Sequence, residues 1–125
     1  MTPPRLADYL KHMLTAAREI ETFVGGQGRD AFLADRRTQQ AVVMNLLVIG
    51  EAAAKIMDSD PAFAEAHPDM PWRNMRGMRN RMAHGYFETN YELVWETVRT
   101  EIPRLIATLS ALSAGTAKQA GELGT

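Results

Sequence analysis

The sequence predicts an all-α fold, an antiparallel helical bundle of four main helices with one short additional turn. Three observations lead there. Apolar residues recur at spacings of three and four in four separate segments, which is the pattern of an amphipathic helix. No segment alternates apolar and polar residues with the period of two that a half-buried strand requires. Breaks between the segments carry Gly25-Gly26-Gln27-Gly28, then Pro61 and Pro68, then Gly85, the residues that punctuate helices.

In the first helix Leu6, Leu10, Met13, Ala17, Ile20 and Val24 form one stripe, and the glycine-rich run after it supplies the stop. A second helix is expected from roughly Asp30 to Met57. Its C-terminal half has two adjacent stripes, Val42, Leu46, Ile49, Ala53 and Ile56 beside Val43, Leu47, Gly50, Ala54 and Met57. A helix apolar over so wide an arc needs cover on two sides, which makes it the expected centre of a homodimer. Residues 58–70 read as a loop with at most a short turn around Ala62 to Ala66, because of Pro61 and Pro68. The third helix begins near Pro71, whose fixed φ suits the first helical position, with Asp69 nearby as a cap, and ends at Gly85. The fourth begins at Asn90 and carries Tyr91, Trp95, Val98, Ile102, Leu105, Leu109 and Leu112, with Pro103 expected to kink it. Periodicity stops at Gly115, so residues 1–113 form the expected domain and 114–125 a flexible tail.

Composition narrows the function. A chain of 125 residues that is 46% hydrophobic makes one domain with apolar surface left to cover, so self-association is expected. With no cysteine, disulfides and thiolate metal sites are excluded. A net charge of -1 and a pI of about 6.3 do not describe a general nucleic-acid binder, so RNA contact must come from a local patch. The run from Ala41 to Ile49 is broken by Asn45 and too short to span a bilayer, and the N-terminus lacks the apolar core of a secretion signal. A soluble, cytoplasmic chain with no membrane contact is the expectation.

The local patch is the third helix, where Arg73, Arg76, Arg79 and Arg81 cluster. At 100° per residue Met75, Met78 and Met82 share the inward face, while Arg73, Arg76, Asn80, Arg81 and His84 lie opposite. Arg79 falls between Met75 and Met82 and needs a carboxylate or a cleft. Glu51, bordering the apolar stripe of the second helix, is the candidate partner. Asn80 and His84 share one face and can reach a common ligand. Arg79 and His84 stand about 140° apart, which argues for a site completed by a second subunit. An imidazole that takes or gives a proton near neutral pH, with an arginine on the phosphate, suits RNA cleavage without metal or cofactor. The plainer reading of the same residues is a solvated helix face or a phosphate-binding patch, and Glu51 is also placed to pair with Lys55.

Arg79-X4-His84-Gly85-Tyr86 resembles the Arg-X4-His-X-Tyr motif of HepT-like toxins in the HEPN superfamily of small helical ribonucleases. The similarity continues in order through Arg37-Thr38-Gln39-Gln40-Ala41-Val42, Ile49-Gly50-Glu51-Ala52-Ala53, Pro71-Trp72-Arg73, Met78 to Phe87, Leu93-Val94-Trp95 and Ile102-Pro103. The resemblance implies a HEPN-like homodimer and a metal-independent endoribonuclease that cleaves tRNA or mRNA as the toxin of a toxin–antitoxin pair. It implies Arg79 and His84 as catalytic residues with Asn80 in support; Glu51 and Arg76, placed by the helix positions above, are further supporting candidates. It implies a nucleotidyltransferase antitoxin of MntA type that adds AMP to Tyr86. The alternative is a non-catalytic module of the same fold that docks such a nucleotidyltransferase, or a nucleotide, through its arginines.

Overall fold

The computed structural model describes residues 4–84 and 89–123, with side chains over 5–84 and 89–112. The described residues form α1 (Pro4–Val24), α2 (Arg29–Leu33), α3 (Arg36–Ser59), α4 (Pro61–Ala66), α5 (Trp72–His84), α6 (Tyr91–Glu96) and α7 (Ile102–Leu123), with no strand among them. A π-helical turn, Thr97–Glu101, joins the last two. α3 is the centre of the bundle: it packs against α1 on one side and α5 on the other, and α1 also meets α7.

The stripes predicted for α1 and α3 are the core. Leu10, Met13, Ala17 and Ile20 meet Val42, Leu46, Ile49, Ala53 and Ile56, all essentially without solvent contact. Gly25 ends α1 at φ +57, the left-handed conformation that costs glycine least. The second stripe of α3 is covered too, but by α5 of the same chain, since Val43, Gly50 and Ala54 are buried there. What α3 leaves uncovered is a narrower ridge, with Met44 62% and Val48 37% exposed. α3 is long and apolar enough to cross a membrane by composition, and 56% of its apolar window is buried in the bundle, as a central helix requires.

Four details differ from expectation. The helix predicted from Asp30 to Met57 is two helices, broken at Asp35. There the backbone is extended, and the carboxylate accepts from the Thr38 amide at 3.2 Å and from the Thr38 hydroxyl at 2.7 Å. A side chain that caps a new helix so well terminates the old one. Buried Gln39 then donates to the carbonyls of Phe32 and Leu33, closing α2. Pro71 precedes α5, and its carbonyl accepts from the Met75 amide; the first turn is anchored instead by the Trp72 indole, which donates to the His67 carbonyl at 3.0 Å. Pro103 follows a π turn in which the Ile102 amide reaches back to the Thr97 carbonyl, one way a helix accommodates a residue that cannot donate. Finally, α7 runs past residue 113 to Leu123.

Candidate active site on α5

Two packing contacts fix α5 and with it the arginine and histidine. Trp72, Met75 and Met82 are buried, and Phe63 of α4 meets Trp72 edge-on with ring centres 6.2 Å apart. The closest approach is at Gly50. A Cβ placed there would lie 2.5 Å from the Arg79 Cβ and 2.8 Å from the Met75 carbonyl oxygen. α5 therefore sits against α3 at a distance that only glycine allows. The next residue along α3 is Glu51, so the same contact that sets the helix spacing delivers a carboxylate to Arg79.

The Arg79 guanidinium is held from two directions. Its Nη1 donates to Glu51 Oε2 at 2.6 Å, while Nε and Nη2 both donate to Asn80 Oδ1, at 3.0 and 2.7 Å. Of five N–H donors three are engaged, leaving one on each terminal nitrogen. Those remaining donors carry positive charge that can meet the oxygens of a phosphate. Lys55 stands 3.9 Å from the other Glu51 oxygen, so both pairings expected of Glu51 occur together. The Arg79 side chain is 26% and that of Glu51 52% exposed, which keeps the pair reachable and its contribution to stability near 0–1 kcal/mol, roughly.

The remaining residues fall around this clamp. His84 closes α5, exposed, and among the described residues it forms no hydrogen bond or ion pair. Asn80 shares its helix face, as the spacing implies, but its side-chain oxygen is turned to Arg79. Neighbours in sequence do not normally meet on a helix; the long arginine stem wraps around to make this contact, which is why spacing alone missed it. Arg76 lies 3.8 Å from Asp58 and is not joined to Arg79. Arg73 and Arg81 are exposed and without an ion pair among the described residues. Tyr86, the expected target of AMP addition, lies outside the described residues. By periodicity Gly50 is one member of an apolar stripe, although a lone glycine inside a helix is also a mark of a close backbone approach.

Known proteins resemble the chain across these same helices. The family described as "Ribonuclease HepT-like" matches residues 13–112, which take in the whole of α3 and α5. A "Probable ribonuclease HepT" of Thermococcus cleftensis is 39% identical over 98 residues, covering 78% of this chain and 86% of its own. A "Putative RNase" of Caldanaerobacter subterraneus subsp. tengcongensis is 36% identical over 105 residues, 84% of this chain and 89% of its own. Another "Putative RNase", of Methanocaldococcus jannaschii, is 35% identical over 95 residues, 76% of each. No solved structure matches the chain. With four-fifths of its length matched and relatives of this identity covered over at least three-quarters of theirs, the chain belongs to the ribonuclease HepT-like family.

Proposed function

We propose that this protein is the ribonuclease toxin of a toxin–antitoxin pair, an endoribonuclease that works without a metal, with Arg79 and His84 as its catalytic residues. The observation that carries the reading is the clamp: Glu51 and Asn80 fix the Arg79 guanidinium with two donors left over. In this reaction the RNA 2′-oxygen bonds to phosphorus and the bond from phosphorus to the 5′-oxygen breaks, giving a 2′,3′-cyclic phosphate and a 5′-hydroxyl. His84 takes the 2′-hydroxyl proton or supplies one to the departing 5′-oxygen. Arg79 binds two non-bridging oxygens and stabilises the charge that builds on them. Asn80 and Glu51 hold Arg79 in place, and Arg76 adds positive charge nearby.

A homodimer completes the site in this reading, because Arg79 and His84 project about 140° apart on α5. The exposed ridge of Met44 and Val48 on α3, beside Glu51, is the face that a second copy covers. The partner in the cell is a nucleotidyltransferase of MntA type. It adds AMP to Tyr86, two residues beyond His84, where bulk and negative charge repel an RNA phosphate. The relatives' names support RNA as substrate, with tRNA or mRNA in the cytoplasm as the class expected.

Expression of the protein alone, beside His84→Ala, tests the reading. Growth arrest and RNA cleavage are expected for the intact protein, with cleavage lowered about 10²–10⁴-fold in the variant; equal behaviour of the two overturns it. A purified protein that binds the nucleotidyltransferase tightly yet cleaves no RNA would instead be the non-catalytic module. Co-expression with that enzyme should add the mass of AMP to the wild type and leave Tyr86→Phe unchanged; modification of the Phe variant would remove Tyr86 as the target.

A further inference from the structure

Between α5 and the arm formed by α6 and α7 lies a cavity of about 720 Å³ that the cleavage chemistry does not use. Its floor is Leu46 and Ile49 of α3, and its walls include Met78 and Met82 on one side and Leu93 on the other. Leu93 is 56% exposed although it lines an apolar cavity. The size is in the range of ligand sites, and the lining, apolar with a few polar groups, is of that type.

The two ends of the cavity differ in charge. Thr89 is only five residues from His84, so α6 starts at the C-terminal end of α5, a helix about 20 Å long. Among the described residues, the rim at that end carries Arg81, Thr89 and Asn90 and no acid, while toward the other end Arg104 shares the lining with Asp69, before the N-terminus of α5, and Glu101, a π turn beyond α6. Arg81 Nη1 lies back over Gly77, 3.5 Å from where a Cβ would be. On the helix Gly77 falls between the His84 face and the cavity, so this guanidinium bridges the two. Asn90 uses Oδ1 to cap α6, accepting from the Glu92 and Leu93 amides, and both Nδ2 protons remain unused among the described residues.

We propose that this end of the cavity is a base-binding site for single-stranded RNA, in which one unstacked base lies among Met78, Met82 and Leu93. Arg81 holds the phosphate that links that base to the scissile one, and Asn90 donates to an acceptor on the base edge. Unpaired RNA bases are recognised in this way, with the faces on apolar side chains and the edges on polar ones. A partner helix would run the length of the groove and meet both ends, whereas among the described residues the cation without an acid beside it on the rim is Arg81, at the end next to His84, where a polyanion must lie; Arg104, at the other end, shares the rim with Glu101 and Asp69. The inference rests on the RNA-cleaving reading above.

Methyl spectra of the methionines test it in the intact protein, with nucleoside 5′-monophosphates as the probe. The Met78 and Met82 methyl signals should shift saturably at millimolar nucleotide, with affinities that differ among the four bases. Arg81→Gln and Leu93→Asp should each weaken binding about tenfold; both positions are exposed, and circular dichroism verifies that the fold is kept. Methyls unmoved by every nucleotide overturn the proposal, and so do methyls that respond only to protein concentration, which would put a second copy in the groove. Shifts in a protein that cleaves no RNA would leave the base site standing and remove the ribonuclease reading; cleavage with unmoved methyls would remove the base site alone.

Discussion

α5 has two flanks, and they are built on opposite principles. Toward α3 it is locked: Gly50 admits the Arg79 Cβ and the Met75 carbonyl at a spacing no other residue permits, and Glu51 reaches the guanidinium from the next position. Toward α6 and α7 it stands off, leaving the cavity and an uncovered Leu93. The locked flank fixes where the Arg79 guanidinium sits; the open flank leaves room beside it. Position is set on one side and access on the other, within one helix of 13 residues.

The two glycines near these flanks make the comparison testable. Gly50→Val should cost about 3 kcal/mol, because the backbone oxygen of Met75 cannot move aside cheaply, and thermal denaturation should show Tm lowered by about 10 °C. An unchanged Tm would mean that the helix spacing is not set by Gly50. Gly77→Ala lies on the other side, where the added methyl meets only Arg81 Nη1 at ordinary contact distance. Helix propensity then decides the sign, and the variant should be more stable by roughly 0.5–1 kcal/mol; a loss would show that this face is also packed. Glu51→Gln keeps a hydrogen-bond acceptor but removes the charge, so its stability should change by no more than about 0.5 kcal/mol. Its value is in the split: kcat for RNA should fall while Tm holds, and a fall in both would make Glu51 a structural residue.

The smallest effect concerns pH and a residue outside the lining of the cleft. Hydrogen bonds from the Thr38 hydroxyl first, then Gln27, then the Thr38 amide hold the Asp35 carboxyl below its ordinary value of 3.8. A carboxyl whose pKa is depressed by folding stabilises the fold above its unfolded value and loses that contribution as pH falls through the folded one. Acid titration of Tm below about pH 4 should therefore show a decline that is shallower in Asp35→Asn. Identical curves would mean that the cap between α2 and α3 carries no charge-dependent stability.

Much of this was legible in the residues. The stripes of α1 and α3 lie where helical periodicity puts them, because burial of one face repeats with the turn of the helix whatever the partner is. Asn90 caps α6 as its type suggests, since capping is satisfied by the amides immediately following. The pairing of Arg79 with Glu51 was also readable, because a charge placed between Met75 and Met82 needs a carboxylate and few were within reach. Other features were not. Asp35 interrupts a continuous apolar pattern, and only its hydrogen bonds to Thr38 show that it starts a helix rather than sitting within one.

By itself, then, the sequence determined the helical class, the inward faces, and the grouping of Arg79, Asn80 and His84 on one element, all consequences of spacing along a single chain. The tertiary structure decided what depends on the distance between helices. It turned Asn80 toward Arg79, assigned Gly50 to the closest contact in the site, and opened the cavity beside Arg81. Periodicity states which way a side chain points; how near the neighbouring helix stands is settled only when every side chain between the two is packed.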